Sequence, residues 1–137
     1  MVHGTGKRVV LVTCGSMKEA RKIARGVVGK RLAACVNIGM AAVESVYWWK
    51  GKVETGKEFL LVMKTTASRL SGLEKEVKRL HSYDVPEFVA LEIAAGSKEY
   101  LRWVEESVEP APRRISMRSM ESVGTGKSIL WCALCAS

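Results

Sequence analysis

Aspartate is almost missing from this chain of 137 residues, which contains only Asp84. A single aspartate excludes an EF-hand loop and a paired-aspartate active site, because both need several carboxylates of this type. Histidine is also scarce, and His81 lies too close to Asp84 in sequence for the two to act as independent members of a Ser-His-Asp set. We therefore find no catalytic set and predict that the protein is not an enzyme.

Long apolar runs are absent as well. No stretch approaches the roughly 20 apolar residues that a membrane-spanning helix requires. The first seven residues are polar and lack the apolar region of a secretory signal. We expect a soluble, cytoplasmic protein that does not associate with a membrane.

Cysteine is present, but its spacing does not indicate a disulfide framework. Cys14 and Cys35 lie in apolar segments, whereas Cys132 and Cys135 lie near the C-terminus. The last two resemble half of a zinc ribbon, and no second pair exists to complete four ligands. Free thiols in a reducing compartment are the predicted state.

The net charge of +8 raises the question of an anionic partner. Four basic residues, Lys18, Arg21, Lys22 and Arg25, follow one another at helical spacing and could contact phosphates. No nucleic-acid motif accompanies them, and a charged helix face is most often simply solvated. The sequence therefore does not favour nucleic acid as a partner.

Hydrophobic residues make up 47% of the chain, and their periodicity predicts a single α+β domain. Ser16 and Glu19 predict a capping box at the start of the first helix. The order β-α-β-β-α-β-α predicts a ferredoxin-like β-α-β-β-α-β sandwich with an extra C-terminal helix, over residues 1–108. Residues 109–137 carry no core pattern and are predicted to be a flexible tail. The predicted elements are strands at 8–13, 58–65 and 88–93, a β-rich segment at 34–49 that Gly39 interrupts, and helices at 16–31, 68–81 and from Ser97.

The central hairpin is predicted to be too long for such a small sheet, because strands average about five to six residues. A projecting hairpin leaves strand edges and aromatic rings without partners. Pairing with other copies of the chain would cover both, so we predict a symmetric homo-oligomer. Tyr47, Trp48 and Trp49 are then expected to be packing anchors at the interface, although such rings could also form a ligand platform.

Several ordered motifs between residues 9 and 108 resemble the CutA family of divalent-ion tolerance proteins. They are L-A-A-C-V-N-I at 32–38, Y-W-W-K-G at 47–51, K-T-T at 64–66, H-S-Y-D-V-P-E at 81–87 and Y-L-R-W-V at 100–104. The resemblance implies a ferredoxin-like fold assembled as a PII-like homotrimer through its long hairpins. It also implies binding of copper or other divalent metal ions and a contribution to metal-ion tolerance.

The same resemblance implies a metal site at Cys35 and His81, with Cys14 as a further candidate. Thiolate and imidazole are ligand types that copper and zinc prefer. Each residue also has a structural alternative: a cysteine often acts as a small core hydrophobe, and His81 could simply cap its helix. The family usually has proline after this histidine, where this chain has Ser82, so the loop that places His81 differs.

Lys64, Tyr83 and Glu87 are candidates for lining a cleft between subunits. An ammonium group at the end of a strand could bind a small anion, as a PII-like signalling scaffold would require. The alternative is an intersubunit Lys–Glu pair that only fixes the assembly. The sequence leaves these two roles open.

Overall fold

The computed structural model describes residues 1–110, so most of the predicted tail lies outside the described residues. Its elements are β1 (Val2–His3), β2 (Lys7–Cys14), α1 (Met17–Gly29), β3 (Cys35–Ile38), β4 (Val43–Trp49), β5 (Lys52–Thr66), a 3₁₀ turn (Ala67–Arg69), α2 (Leu70–Leu80), β6 (Val89–Glu92), β7 (Ala95–Gly96) and α3 (Lys98–Val108).

The main sheet has the strand order β3-β5-β2-β6, and every neighbouring pair is antiparallel. The two central strands, β2 and β5, pair from Lys7 with Thr66 to Cys14 with Phe59. Each βαβ unit leaves a gap between its two strands, and the central strand of the other unit fills that gap. This arrangement confirms the predicted ferredoxin-like fold.

Both helices α1 and α2 cover the same face of the sheet. Side chains alternate along each strand, and the register places Val10 beside Met63 and Val12 beside Leu61 on the covered face. These four are fully buried. The apolar stripe of α1, from Ala20 to Val27, packs on them at the predicted helical spacing.

The opposite face of the sheet is apolar too, and we call it the open face. Its side chains point away from α1 and α2, yet β2, β5 and β6 each place two aliphatic side chains on it. Val89 and Leu91 are exposed, and the more central members are only half-buried. The aliphatic members of the open face are Val9, Leu11, Leu60, Val62, Val89 and Leu91.

The hairpin of β4 and β5 extends beyond the main sheet. Trp49 pairs with Lys52 across a two-residue turn in which Lys50 and Gly51 both have positive φ, at 51° and 77°. Such a turn matches the twist of the two strands, and glycine at its second position adopts this conformation without strain. β5 has 15 residues, which confirms the prediction of a long hairpin. The return strand was predicted to begin at residue 58, whereas it begins at Lys52.

The end of the domain is held by α3, whose predicted cap is confirmed because Ser97 accepts a hydrogen bond from the Tyr100 N–H. Arg69 donates to the Val108 carbonyl over 2.7 Å, and Lys7 forms an ion pair with Glu105. The short strands β1 and β7 pair with each other beside α3, and the sequence analysis did not predict them. Two-residue strands are too short to show a side-chain period.

Candidate metal and ligand site

His81 lies at the carboxyl end of β2 and is fully buried at its side chain. Its Nε2 is 2.7 Å from the Thr13 carbonyl oxygen, and its Nδ1 accepts the Tyr83 N–H over 3.0 Å. A carbonyl can only accept, so Nε2 carries the proton and the imidazole is neutral. His81 is therefore more than a helix cap, because Nε2 ties the loop after α2 to β2, while Nδ1 holds the backbone of that same loop.

Ser82 joins the same loop to the first turn of α1. Its N–H donates to one carboxylate oxygen of Glu19 over 2.5 Å, and its hydroxyl donates to the other over 3.1 Å. Ser16 does cap α1 by accepting the Glu19 N–H, but the Glu19 side chain turns to Ser82 rather than completing the predicted capping box. The Glu19 carboxylate also lies 3.9 Å from Nδ1 of His81.

Cys14 is the last residue of β2 and is fully buried. Burial raises the pKa of its thiol to about 11, and the carboxylates of Glu19 and Glu58 act in the same direction. The thiol donates to the Ser16 carbonyl over 3.5 Å. A metal ion that binds here must displace a proton which this environment retains.

Tyr83 covers this end of the strand. Its hydroxyl donates to Glu58 over 3.2 Å, and its ring lies 4.6 Å from the His81 ring, centroid to centroid. Burial, followed by Glu58, raises its pKa to about 12, so it remains protonated at neutral pH. A Cβ added at Gly15 would lie 3.2 Å from the Tyr83 hydroxyl. The absence of a side chain at Gly15 therefore allows the Tyr83 ring to pack close to the backbone.

Cys35 lies at the other end of the sheet and on its other face. It pairs with Lys64 on β5, whereas Cys14 pairs with Phe59 on the same strand. Five residues of strand span about 16 Å. One chain therefore brings Cys14, His81 and Tyr83 together and leaves Cys35 apart from them.

Lys64 projects onto the open face beside Cys35, and its ammonium group donates to the side-chain carbonyl of Asn37. Tyr83 donates a hydrogen bond to Glu58. Glu58 lies six residues from Lys64 along β5, which corresponds to about 20 Å. Glu87 is exposed in the segment that leads into β6. The predicted cleft residues Lys64 and Tyr83 thus do not meet within one chain.

The donor types at the end of β2 suit copper or zinc, but their arrangement is not a preformed site. Among residues 1–110, no three His, Cys, Asp or Glu side chains are grouped so that they could hold one ion. Both nitrogens of His81 are already hydrogen-bonded, as described above. Sequence reasoning had missed Glu58, whose position beside Tyr83 depends on the pairing of β5 with β2 and has no local signal.

The aromatic residues predicted at the interface lie on the hairpin and are exposed in the single chain. Trp48 retains 75% of its accessible surface, Trp49 56% and Tyr47 44%. Rings of this size seldom remain so exposed on a protein that has no partner for them.

The sheet order, the two helices on one face and the projecting hairpin define an α+β domain of the ferredoxin-like, PII-like class. Residues 8–107 match the model of the family described as CutA1 divalent ion tolerance protein. This chain belongs to the CutA1 divalent ion tolerance protein family. The family is named for tolerance rather than for a catalytic activity.

Similar proteins cover the same region. The chain is 48% identical to the divalent-cation tolerance protein CutA of Thermus thermophilus over 101 residues, which is 74% of this chain and 97% of that protein. A solved structure of the Thermus thermophilus protein superposes with a TM-score of 0.73 over 75% of this chain and 99% of that one. The Archaeoglobus fulgidus structure gives a TM-score of 0.72 at 40% identity, over 75% and 99% of the two chains.

A plant relative is longer. The chain is 46% identical to Protein CutA 1, chloroplastic, of Oryza sativa over 99 residues, and these cover 72% of this chain and 55% of the rice protein. The rice protein is named chloroplastic and the Archaeoglobus fulgidus protein periplasmic, so relatives differ in compartment. Within residues 1–110, no helix has the length and apolar character needed to cross a membrane.

Proposed function

We propose that this chain assembles as a homotrimer that binds copper or other divalent metal ions and thereby contributes to metal-ion tolerance. The observation that supports assembly most directly is the apolar open face, continued by the exposed aromatic hairpin. An apolar patch of this extent is typical of an interaction surface. The cytoplasm remains the predicted compartment, to be checked by cell fractionation.

Three copies related by symmetry could cover both surfaces at once. The hairpin carries Trp48 and Trp49 on β4, whose outer edge pairs with no other strand among residues 1–110, and such edges readily pair with another strand. The open face offers Val89 and Leu91 as exposed aliphatic contacts. Large aromatic and aliphatic side chains of this kind form the centre of oligomer interfaces.

Light scattering after size exclusion tests the assembly. We expect a mass of about 45 kDa, three times the 15.1 kDa of one chain. Leu91→Asp should shift the mass towards the monomer, because it places a charge in the apolar interface. Val85→Asp is the matched control, since Val85 is exposed in the loop before β6. A folded wild-type monomer at low micromolar concentration would contradict the proposal.

Metal binding is proposed to use Cys14 and His81 at one end of the sheet and Cys35 on its open face. The support is the chemistry of the donors, a soft thiolate and an imidazole, together with the name of the family. Since one chain leaves Cys35 apart from Cys14 and His81, we propose that neighbouring copies or a rearranged loop complete the site. The raised pKa of Cys14 then predicts that binding releases a proton and strengthens as pH rises.

Calorimetric titration with copper and zinc, under reducing conditions for copper(I), tests these ligands. Cys14→Ala, Cys35→Ala and His81→Ala should each weaken binding by tenfold or more if the residue is a ligand. The double variant Cys132→Ala, Cys135→Ala is the control that removes the thiols of the tail. Unchanged affinity in all three single variants would reject the ligand assignment, whereas loss in the tail variant alone would move the site to the tail.

A PII-like scaffold that binds a small anion is the second candidate function. Its support is Lys64, whose ammonium group lies on the apolar open face and has no carboxylate partner among the described residues. With Tyr83 and Glu87 of another copy, it could line an intersubunit cleft. A thermal-shift screen of nucleotides and other small anions tests this, with Lys64→Ala as the variant and Lys57→Ala, on the hairpin part of β5, as control. A stabilisation that persists in Lys64→Ala would exclude the assigned cation.

A further inference from the structure

The positive charge of the folded domain is concentrated on one surface. Residues 17–31 and 70–80, which contain α1 and α2, carry nine lysines and arginines against three glutamates, whereas the rest of residues 1–110 carries nine basic and ten acidic residues. We call this surface the basic layer. Its cations are Lys18, Arg21, Lys22, Arg25, Lys30, Arg31, Lys75, Lys78 and Arg79, and all nine are exposed.

The two helices bring these residues into a single surface because they are antiparallel and closely packed. A Cβ added at Gly26 of α1 would lie 2.8 Å from Leu80 of α2, and one added at Gly72 of α2 would lie 3.0 Å from Leu32. Lys30 bridges the pair through Glu76 over 3.0 Å. The axes of helices in such contact are about 8–10 Å apart.

The three glutamates of the basic layer are already engaged. Glu76 binds Lys30 and Arg79, Glu74 binds Lys78, and Glu19 binds Ser82. Six cations therefore have no ion-pair partner among residues 1–110: Lys18, Arg21, Lys22, Arg25, Arg31 and Lys75. These are the charges that an external anion would neutralise.

From this segregation we infer that the basic layer is a docking surface for the phosphate backbone of a nucleic acid. Four of its nine cations are arginines, whose planar guanidinium groups suit phosphate oxygens. Val28 is the one large hydrophobic residue exposed on α1 and α2, so the layer lacks the apolar side chains with which surface helices enter a lipid headgroup region. The layer lies across the sheet from the open face, so contacts through the open face leave it accessible.

Such binding is sequence-independent, because the side chains contact phosphates and not base edges. Its strength falls with salt, with a slope of about −0.9 in log K against log salt for each phosphate contacted in duplex DNA. Dissociation constants of about 10⁻⁴ to 10⁻⁶ M at physiological salt are typical of this mode.

Fluorescence anisotropy of a labelled duplex of about 20 base pairs, titrated with the full chain over a salt series, tests the inference. Arg21→Glu, Arg25→Glu should weaken binding at 100 mM salt at least about tenfold and reduce the salt slope by about 2. The matched control, Lys98→Glu, Arg102→Glu, changes the net charge equally but on α3, which packs against β5 and β2 and is not part of the basic layer. It should bind within about twofold of wild type.

Each other outcome would overturn the inference. Absence of binding at 50 mM salt would show that the layer is only solvated. An equal loss in both double variants would show a general effect of net charge. No loss in the α1 variant would assign binding to another part of the chain, such as the tail, which both variants retain unchanged. Displacement of the duplex by phosphatidylserine vesicles at equal phosphate would identify a lipid surface as the partner. Circular dichroism confirms that both variants fold.

Discussion

Replacing Ser82 by proline removes a backbone hydrogen-bond donor from the loop after α2, and we predict that the change destabilises the protein. Proline has no N–H, so the 2.5 Å hydrogen bond from the Ser82 N–H to Glu19 is lost, and the 3.1 Å bond from the hydroxyl is lost with it. The preceding residue suits proline, because His81 has φ −84° and ψ 142°, the extended region that a residue before proline adopts.

The magnitude follows from two opposing terms. Hydrogen bonds to a charged group contribute about 1.5–3 kcal/mol each, and the low end applies here because water reaches part of the Glu19 side chain. Loss of both bonds costs about 3 kcal/mol, whereas proline returns about 0.4–1 kcal/mol by restricting the unfolded chain. The expected net loss is about 2 kcal/mol, or about 8 °C in melting temperature for a domain of this size.

Thermal and urea unfolding at one fixed protein concentration measure this loss, because the stability of an oligomer depends on concentration. Ser82→Ala keeps the N–H and loses only the hydroxyl bond to Glu19, so it should cost about 1.5 kcal/mol. In a Glu19→Ala background, Ser82→Pro should be neutral or slightly stabilising, because the lost bonds have no acceptor. A Ser82→Pro protein as stable as wild type, or an equal loss in the Glu19→Ala background, would refute the role of the Ser82–Glu19 contact.

Three further predictions rest on single residues. The ion pairs with Arg79 and Lys30 lower the Glu76 pKa from 4.5 to about 2, so its contribution to stability is complete above pH 4.5 and is lost as pH falls towards 2; Glu76→Gln should flatten this part of the acid-unfolding profile. The Cys14 pKa of about 11, against 9.0 for a free thiol, lowers its thiolate fraction about a hundredfold, so alkylation at pH 8, followed by peptide mass spectrometry, should be correspondingly slow and should become fast in urea. Leu61→Ala should cost about 2–5 kcal/mol in urea unfolding because Leu61 is fully buried, whereas Val85→Ala, at an exposed position, should be near neutral, and equal losses would contradict the described core.

The order of the elements was predictable because each carries a local signal. The stripe of α1 repeats at helical spacing, and serines 16 and 97 cap their helices as predicted. The first six residues of β5, from Lys52 to Lys57, were missed because they are mostly polar. A strand of a hairpin that projects from the sheet has no covered face in one chain, so it shows no alternation of apolar and polar residues.

The grouping of the candidate ligands was not predictable, because it depends on the register between strands. Cys14 and Cys35 both follow the pattern of buried strand residues, and nothing local indicates that they face opposite sides of the sheet. Glu19 shows a second limit of local signals. Its position three residues after Ser16 predicts a capping contact, yet its carboxylate binds Ser82, 63 residues further along the chain.

The unbroken course of β5 makes the hairpin and the core one mechanical unit. A single strand runs from the tip beside Gly51 to the fully buried Thr65, pairing first with β4 and then with β2. A shift of β5 by one residue in register would turn Leu61 and Met63 out of the core, because neighbouring side chains of a strand point to opposite faces. The packing of the hydrophobic core therefore fixes the length and the direction of the projecting hairpin.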